Sequence, residues 1–279
     1  MSGKGSVVRR RILGRELRRL REREGFTLET AAPRLEWSVS KLGRIEGGQQ
    51  SVDVHSVKSM LDLYQESERW EELLDFTREA RAPGWWRAYG VGNNSYVDFE
   101  AEAVSVREYT VDFVPGLLQT ADYSRAMFVA SAVRRSADQL ADEIAVRTIR
   151  QRRLVSTDDP IALDAVINED VLHRPVGGPD VLRKQLHGLA EAAELRSVVL
   201  RVLPRQIGAH CAMGSGFTIL NFGDIGEPEL VYVEHGLGAL LMEKKRDVDR
   251  ATLSFERLRS AALSPEQSLA LIRRAAEQL

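Results

Sequence analysis

Leucines at 13, 17 and 20, spaced by four and three with arginine and glutamate between them, predict a helix from about Arg9 to Glu24. Gly25 fits the residue just past its end, and Phe26 can pack back on the last turn. Thr27 then caps a second helix with Leu28, Ala31, Ala32 and Leu35 facing inward. Trp37 closes the next turn. Ser38 caps a third helix, with Val39, Leu42 and Ile45 on its buried side and Gly47-Gly48 at its end. A fourth helix, capped by Ser51 or Asp53, takes Val54, Val57, Leu61 and Leu63 as core positions. Residues 67–81 make a fifth, with Trp70, Leu73, Leu74 and Phe76. The pattern therefore predicts a five-helix domain over residues 1–82, ended by Pro83-Gly84.

Beyond that break the texture changes. Trp85-Trp86 opens an aromatic segment, and Phe99, Ala103, Val106 and Tyr109 recur at helical spacing over 97–109. Val114-Pro115-Gly116 interrupts the chain before helices at about 120–133 and 136–154. From residue 161 the apolar runs shorten to strand length: 161–167, 198–203, 217–222, 230–233 and 239–242. A helix at about 180–193 follows Gly177-Gly178-Pro179, and helices at 246–261 and 265–278 close the chain, the last opened by Ser264-Pro265. The expectation is an α+β protein. An all-α N-terminal domain precedes residues 83–279, which divide into a helical linker part, 83–158, and a sheet-containing part, 159–279.

Charge sharpens this division. The chain of 279 residues has a net charge of −2, yet residues 1–50 hold twelve Lys/Arg against six Glu. The remainder holds 27 basic and 35 acidic residues, a basic head on an acidic body. Arg/Glu mixtures also decorate ordinary solvated helices, so charge alone does not assign a polyanion. The apolar runs fall far short of the roughly 20 residues of a membrane helix. No secretory signal is expected at the N-terminus, and the single Cys211 excludes an intramolecular disulfide. A cytoplasmic location follows as an expectation.

A helix that reads DNA needs exposed groups in its first two turns, because that end reaches the base edges. Here those groups are Ser38, Val39, Ser40, Lys41 and Arg44. Val39 is claimed both by a thymine methyl and by the core, and Lys41 and Arg44 suit guanine or phosphate. Thr27 and Ser38, beside the N–H groups at the starts of the second and third helices, suit phosphate oxygens.

The string Trp37-Ser-Val-Ser-Lys-Leu-Gly-Arg-Ile-Glu46-Gly resembles the second half of the XRE-type (Cro/repressor-like) helix-turn-helix, in its actinobacterial subgroup. Residues 14–22 resemble that family's first helix. Gly84-Trp85-Trp86, the Pro-Gly-Leu-Leu-Gln-Thr string at 115–120 and Leu172-His173-Arg174-Pro175 resemble the uncharacterised C-terminal domain attached to such regulators. The resemblance implies a transcriptional regulator of a high-GC Gram-positive bacterium whose base-reading positions are Ser38, Val39, Ser40, Lys41 and Arg44. It implies double-stranded DNA as partner and a small protein encoded by a neighbouring gene as a second. An antitoxin-like protein that binds that partner and autoregulates is the alternative. Two departures stand out: Pro33 inside the second helix, which costs roughly 3 kcal/mol in a regular helix, and Gly43, roughly 1 kcal/mol worse than alanine. A shortened second helix is expected.

One such module makes few contacts, so a homodimer is expected, with recognition helices about 34 Å apart. Trp85, Trp86, Tyr123 and Arg125 either line a pocket for a small-molecule effector or partner segment, or wedge the domains together. His210-Cys211 is the one thiol–imidazole neighbourhood, but adjacent residues on an extended segment point apart. No catalytic residue, cofactor or metal set is expected, since His55, His173, His187, His210 and His235 lack metal-type spacing. Gly177-Gly178-Pro179 reads as a turn before it reads as a phosphate cradle, and Gly208, Gly214 and Gly216 as a surface loop.

Overall fold

A computed structural model describes residues 6–91 and 96–279. Lys4 of the basic head lies outside them. The chain forms two compact units: residues 1–102 with 224–227, and residues 103–223 with 228–279.

The first unit is helical: α1 (Ser6–Arg23), α2 (Leu28–Arg34), α3 (Val39–Glu46), α4 (Val54–Leu63), α5 (Trp70–Arg81) and the short α6 (Tyr96–Glu100). Its core joins Leu13, Leu17 and Leu20 of α1 to Ala31, Ala32, Leu42, Ile45, Val57, Met60, Leu61 and Tyr64. Met60 fills a core place not foreseen, and Val54 and Leu63 are half-buried. By its contacts this unit extends past the expected break at Pro83-Gly84. The unit runs on to Glu102, because Trp86 is fully buried and Asp98 of α6 accepts the Val7 amide at 3.3 Å.

The second unit is built on one six-stranded sheet in the order β3-β2-β1-β4-β5-β6. In chain order it comprises β1 (Ser105–Thr110), α7 (Ala121–Ala130), α8 (Ala137–Gln151), β2 (Ala162–Asn168), α9 (Pro179–Ala192) and β3 (Val198–Leu203). There follow β4 (Phe217–Asn221), β5 (Leu230–His235), β6 (Gly238–Met242), α10 (Lys245–Ala261) and α11 (Pro265–Glu277). β1, β2 and β3 are parallel, and β1-β4-β5-β6 are antiparallel. On one face Tyr109, Val166, Leu203, Ile219 and Val231 pack against Val248, Phe255 and Leu258 of α10. The α+β reading holds.

The helical reading of 97–109 does not. Helix α6 stops at Glu100 and residues 105–110 are a central strand, so the supposed helical part 83–158 contributes to the sheet. The reason is long-range. Arg107, a charge inside a central strand, bonds both carboxylate oxygens of Glu229 at 2.8 and 2.9 Å. This half-buried pair neutralises the charge that the central strand would otherwise carry alone.

Candidate nucleic-acid interface

The α2–turn–α3 segment is assembled by local chemistry. The Thr27 hydroxyl accepts the Thr30 amide at 3.3 Å, and the Thr30 hydroxyl accepts the Thr27 amide at 2.9 Å, a reciprocal cap on α2. Pro33 is the penultimate residue of this seven-residue helix and is exposed, so the Glu29 carbonyl that loses its donor can be solvated. The helix is short, as its proline led us to expect. The turn closes with Trp37 N donating to Ala32 O at 2.9 Å while Glu36 takes a left-handed φ of 56°. That position ordinarily favours glycine.

Ser38 caps α3 by accepting the Lys41 amide at 3.1 Å. Leu42 and Ile45 anchor the helix in the core. Val39 is not on the buried side, contrary to the helical stripe. It opens the helix and is 39% exposed. Val39, Ser40 and Arg44 thus share the solvent side of α3, with Lys41 half-exposed beside them. Arg44 donates from Nη1 to Ser40 Oγ at 3.3 Å and from Nε to Gln50 Oε1 at 3.2 Å. The Lys41 ammonium rests 3.9 Å from the centre of the Trp37 ring. A cation–π contact at an exposed site is worth about 0.5–1 kcal/mol. A good base contact is worth about 1–3 kcal/mol, so DNA can draw Lys41 off its platform.

The other cations of the first fifty residues are differently employed. Arg9 pairs with Glu79 and Glu102, Arg18 with Glu22, Arg19 with Glu16, and Arg23 with Glu66. Arg21 is buried, bonding both oxygens of Glu46 at 2.7 and 2.8 Å and Phe26 O at 2.5 Å. The Glu46 hydrogen bonds hold the Arg21 guanidinium above its ordinary value. Glu46 is therefore the strut that ties α3 to α1. Among the described residues, Arg34, Lys41 and Arg44 have no carboxylate partner. Arg34 lies over Phe26, its guanidinium carbon 4.7 Å from the ring centre. Sequence reasoning missed Arg34, Gln50 and the Trp37 platform. The spacing of four between Trp37 and Lys41, and between Ser40 and Arg44, was the available signal.

Thr27 is less open to phosphate than Ser38. The Glu29 carboxylate turns back onto its own amide and the Thr27 hydroxyl, contacts that hold it below the usual carboxylate range. A negative charge therefore sits at the start of α2. The start of α3 has no acidic residue in its first turn.

The remaining expected site residues fall in both units. Trp85 and Trp86 belong to the first, with ring centres 5.7 Å apart and edge to face. Gly84 is required there, since a Cβ would lie 2.2 Å from the Trp86 ring. The buried Trp86 Nε1 has no hydrogen-bond partner among the described residues. Tyr123 and Arg125 belong to the second unit. Tyr123 is fully buried, its hydroxyl accepts the Val114 amide at 3.3 Å, and burial raises its pKa, while Arg125 is exposed. His210 and Cys211 turn to different neighbours, the first to the Tyr109 hydroxyl at 3.3 Å and the second to Ser254 O at 3.5 Å. Gly177 takes a left-handed φ of 73° with Ala126 and Val181 closely packed against it, which explains a glycine there by the turn alone.

A capped helical pair presenting unpaired cations from its second helix defines a DNA-binding protein of the helix-turn-helix class. Residues 12–74 match the family model described as a helix-turn-helix domain. Residues 94–274 match that described as a domain of unknown function, DUF5753. The second match spans well over half of the chain, which therefore belongs to the DUF5753 family and carries a helix-turn-helix domain toward its N-terminal end. Comparison with curated proteins and with solved structures gave no match. Among the described residues no helix is long and apolar enough to cross a membrane.

Proposed function

We propose that this DNA-binding regulator recognises a specific, near-palindromic operator through α3, in the cytoplasm of a high-GC Gram-positive bacterium. The observation that carries the reading is the charge pattern of α3. Lys41 and Arg44 rest only on neutral groups, an indole face and two polar side chains, so a polyanion gains them without first breaking an ion pair. Ser38 N-caps the same helix, whose positive dipole end lies beside Lys41, while Arg44 stands in its last turn. The DUF5753 domain we assign to regulation, by a small effector or a partner protein, and we assign it no catalysis. Cys211 and His210 each engage a separate neighbour, which is not how a thiol and its base are arranged.

The test is genome-wide mapping of sites bound by the full chain, followed by affinity measurements on a recovered site. Lys41→Ala and Arg44→Ala should each weaken binding by about 1–3 kcal/mol if they read bases. A residue that touches only phosphate would instead weaken all sequences alike and lower the salt slope by about 1. Unchanged operator affinity in both variants would remove α3 from the interface.

A further inference from the structure

The two edges of the sheet are finished differently. At β3 the outward N–H of Val202 donates to the buried Ser268 hydroxyl at 2.9 Å, and its carbonyl accepts the Leu263 amide at 2.9 Å. The start of α11 thus covers that edge, as folded proteins commonly do to stop unwanted strand pairing. At β6 the chain runs Gly236-Leu-Gly-Ala-Leu-Leu-Met242 with no charge and no proline. Leu237 is 96% exposed, Leu240 56% and Leu241 38%. An apolar edge strand without charge or proline is a template for another strand.

We propose that β6 pairs antiparallel with β6 of a second copy of this chain, across a two-fold axis at Leu240. Backbone parity fixes the register. His235 and Gly238 flank a two-residue loop and form a hydrogen-bonded pair, and such pairs alternate along an antiparallel ladder. Gly238, Leu240 and Met242 therefore bond to β5, while Ala239 and Leu241 turn their N–H and C=O groups to the open edge. Pairing Ala239 with Leu241 of a second copy satisfies both sets at once and sets Leu240 against its own mate. A two-fold contact of this kind is self-complementary by symmetry. The ends of the strand agree with it. The β5–β6 hairpin carries Glu234 and the other end of β6 leads into Lys244, both exposed and neither in an ion pair among the described residues. Antiparallel pairing sets the two Lys244 at opposite ends of the joined strands, whereas parallel pairing would place these like charges side by side.

This inference concerns the sheet alone. It rests on the two-fold operator reading only where DNA affinity is the readout. The test uses the full chain. Light scattering should show a dimer for the parent protein, and Leu240→Lys, which places two cations on the axis, should give a monomer with unchanged circular dichroism. Ala239→Pro removes an N–H that only the second copy would use, and should also give monomer. In a Cys211→Ser background, Leu240→Cys should form a disulfide-linked dimer under mild oxidation and Leu237→Cys should not, since facing residues near the axis meet disulfide geometry. The monomeric variants should lose roughly 100-fold or more in affinity for a full operator while still binding a half-site. A monomeric parent, a Leu240→Lys variant that remains dimeric, or Leu237→Cys crosslinking in place of Leu240→Cys would overturn the proposal. Loss of half-site binding by Arg44→Ala bears on α3 alone, so the two readings fail separately.

Discussion

Helices α1 and α3 both carry cations on exposed faces, and they use them in opposite ways. On α1, Arg9, Arg18, Arg19 and Arg23 are matched by carboxylates, and Arg21 is sunk into the core with Glu46. On α3, Lys41 and Arg44 touch only neutral groups. A count of basic residues would place the polyanion on α1, where most of them lie. Pairing places it on α3. A cation already bound to a carboxylate must break that bond to take a phosphate, whereas Lys41 on its indole and Arg44 on a hydroxyl and an amide oxygen give up far less.

The largest expected effect comes from breaking the join between the two helices. Arg21→Ala leaves the Glu46 carboxylate buried without its partner, a change that ordinarily costs about 3–5 kcal/mol. Chemical denaturation should show a loss of that size for Arg21→Ala. By contrast, Arg18→Ala, whose exposed pair with Glu22 spans one helical turn, should lose no more than about 0.5 kcal/mol. Equal losses in the two would mean that the Arg21–Glu46 pair is not a structural strut.

That strut also marks the limit of what was legible in the sequence. The caps at Thr27 and Ser38, the stop at Gly25, the apolar spacing of Leu13, Leu17 and Leu20, and five of the six strands are signals contained within a few residues. Glu46 was recognisable as part of a motif, but its partner lies 25 residues away and only folding brings the two together. Strand β1 was misread for the same reason. Phe99, Ala103, Val106 and Tyr109 imitate helical spacing, and the Glu229 that neutralises Arg107 stands 122 residues distant. Burial of Trp86 and Tyr123 was equally beyond reach, because an aromatic beside a Pro-Gly break serves a pocket or a core equally well.

Next in size are two glycines, one in each helix. A Cβ on Gly14 would lie 2.5 Å from Glu46 O and 2.6 Å from Ile45 O, so α1 reaches the end of α3 only because this side chain is absent. Gly14→Ala should destabilise by about 1–3 kcal/mol through overpacking. A Cβ on Gly43 would meet only Leu28 Cδ1 at 3.8 Å, an ordinary contact. Gly43→Ala should stabilise by about 1 kcal/mol through helix propensity. Opposite signs in thermal unfolding would confirm that α1, and not α3, is the sterically constrained partner. The same sign in both would refute it.

The smallest effect tests the carboxylates that occupy the α1 arginines. Hydrogen bonds from Arg19, then from Arg69, lower the Glu16 pKa to about 2 against an ordinary 4.5. A carboxyl depressed on folding contributes stability that is fully present above pH 4.5 and is lost as the pH falls toward 2. Because Arg19 is largely exposed, solvent screening holds the contribution to at most about 1 kcal/mol. Denaturation curves collected across that window should therefore show a modest acid loss that Glu16→Gln removes. The same substitution should leave operator affinity unchanged, since Glu16 neutralises cations that α3 does not use. A gain in DNA binding by Glu16→Gln would show instead that Arg19 or Arg69, once released, reaches phosphate, and the division of labour between the two helices would fail there.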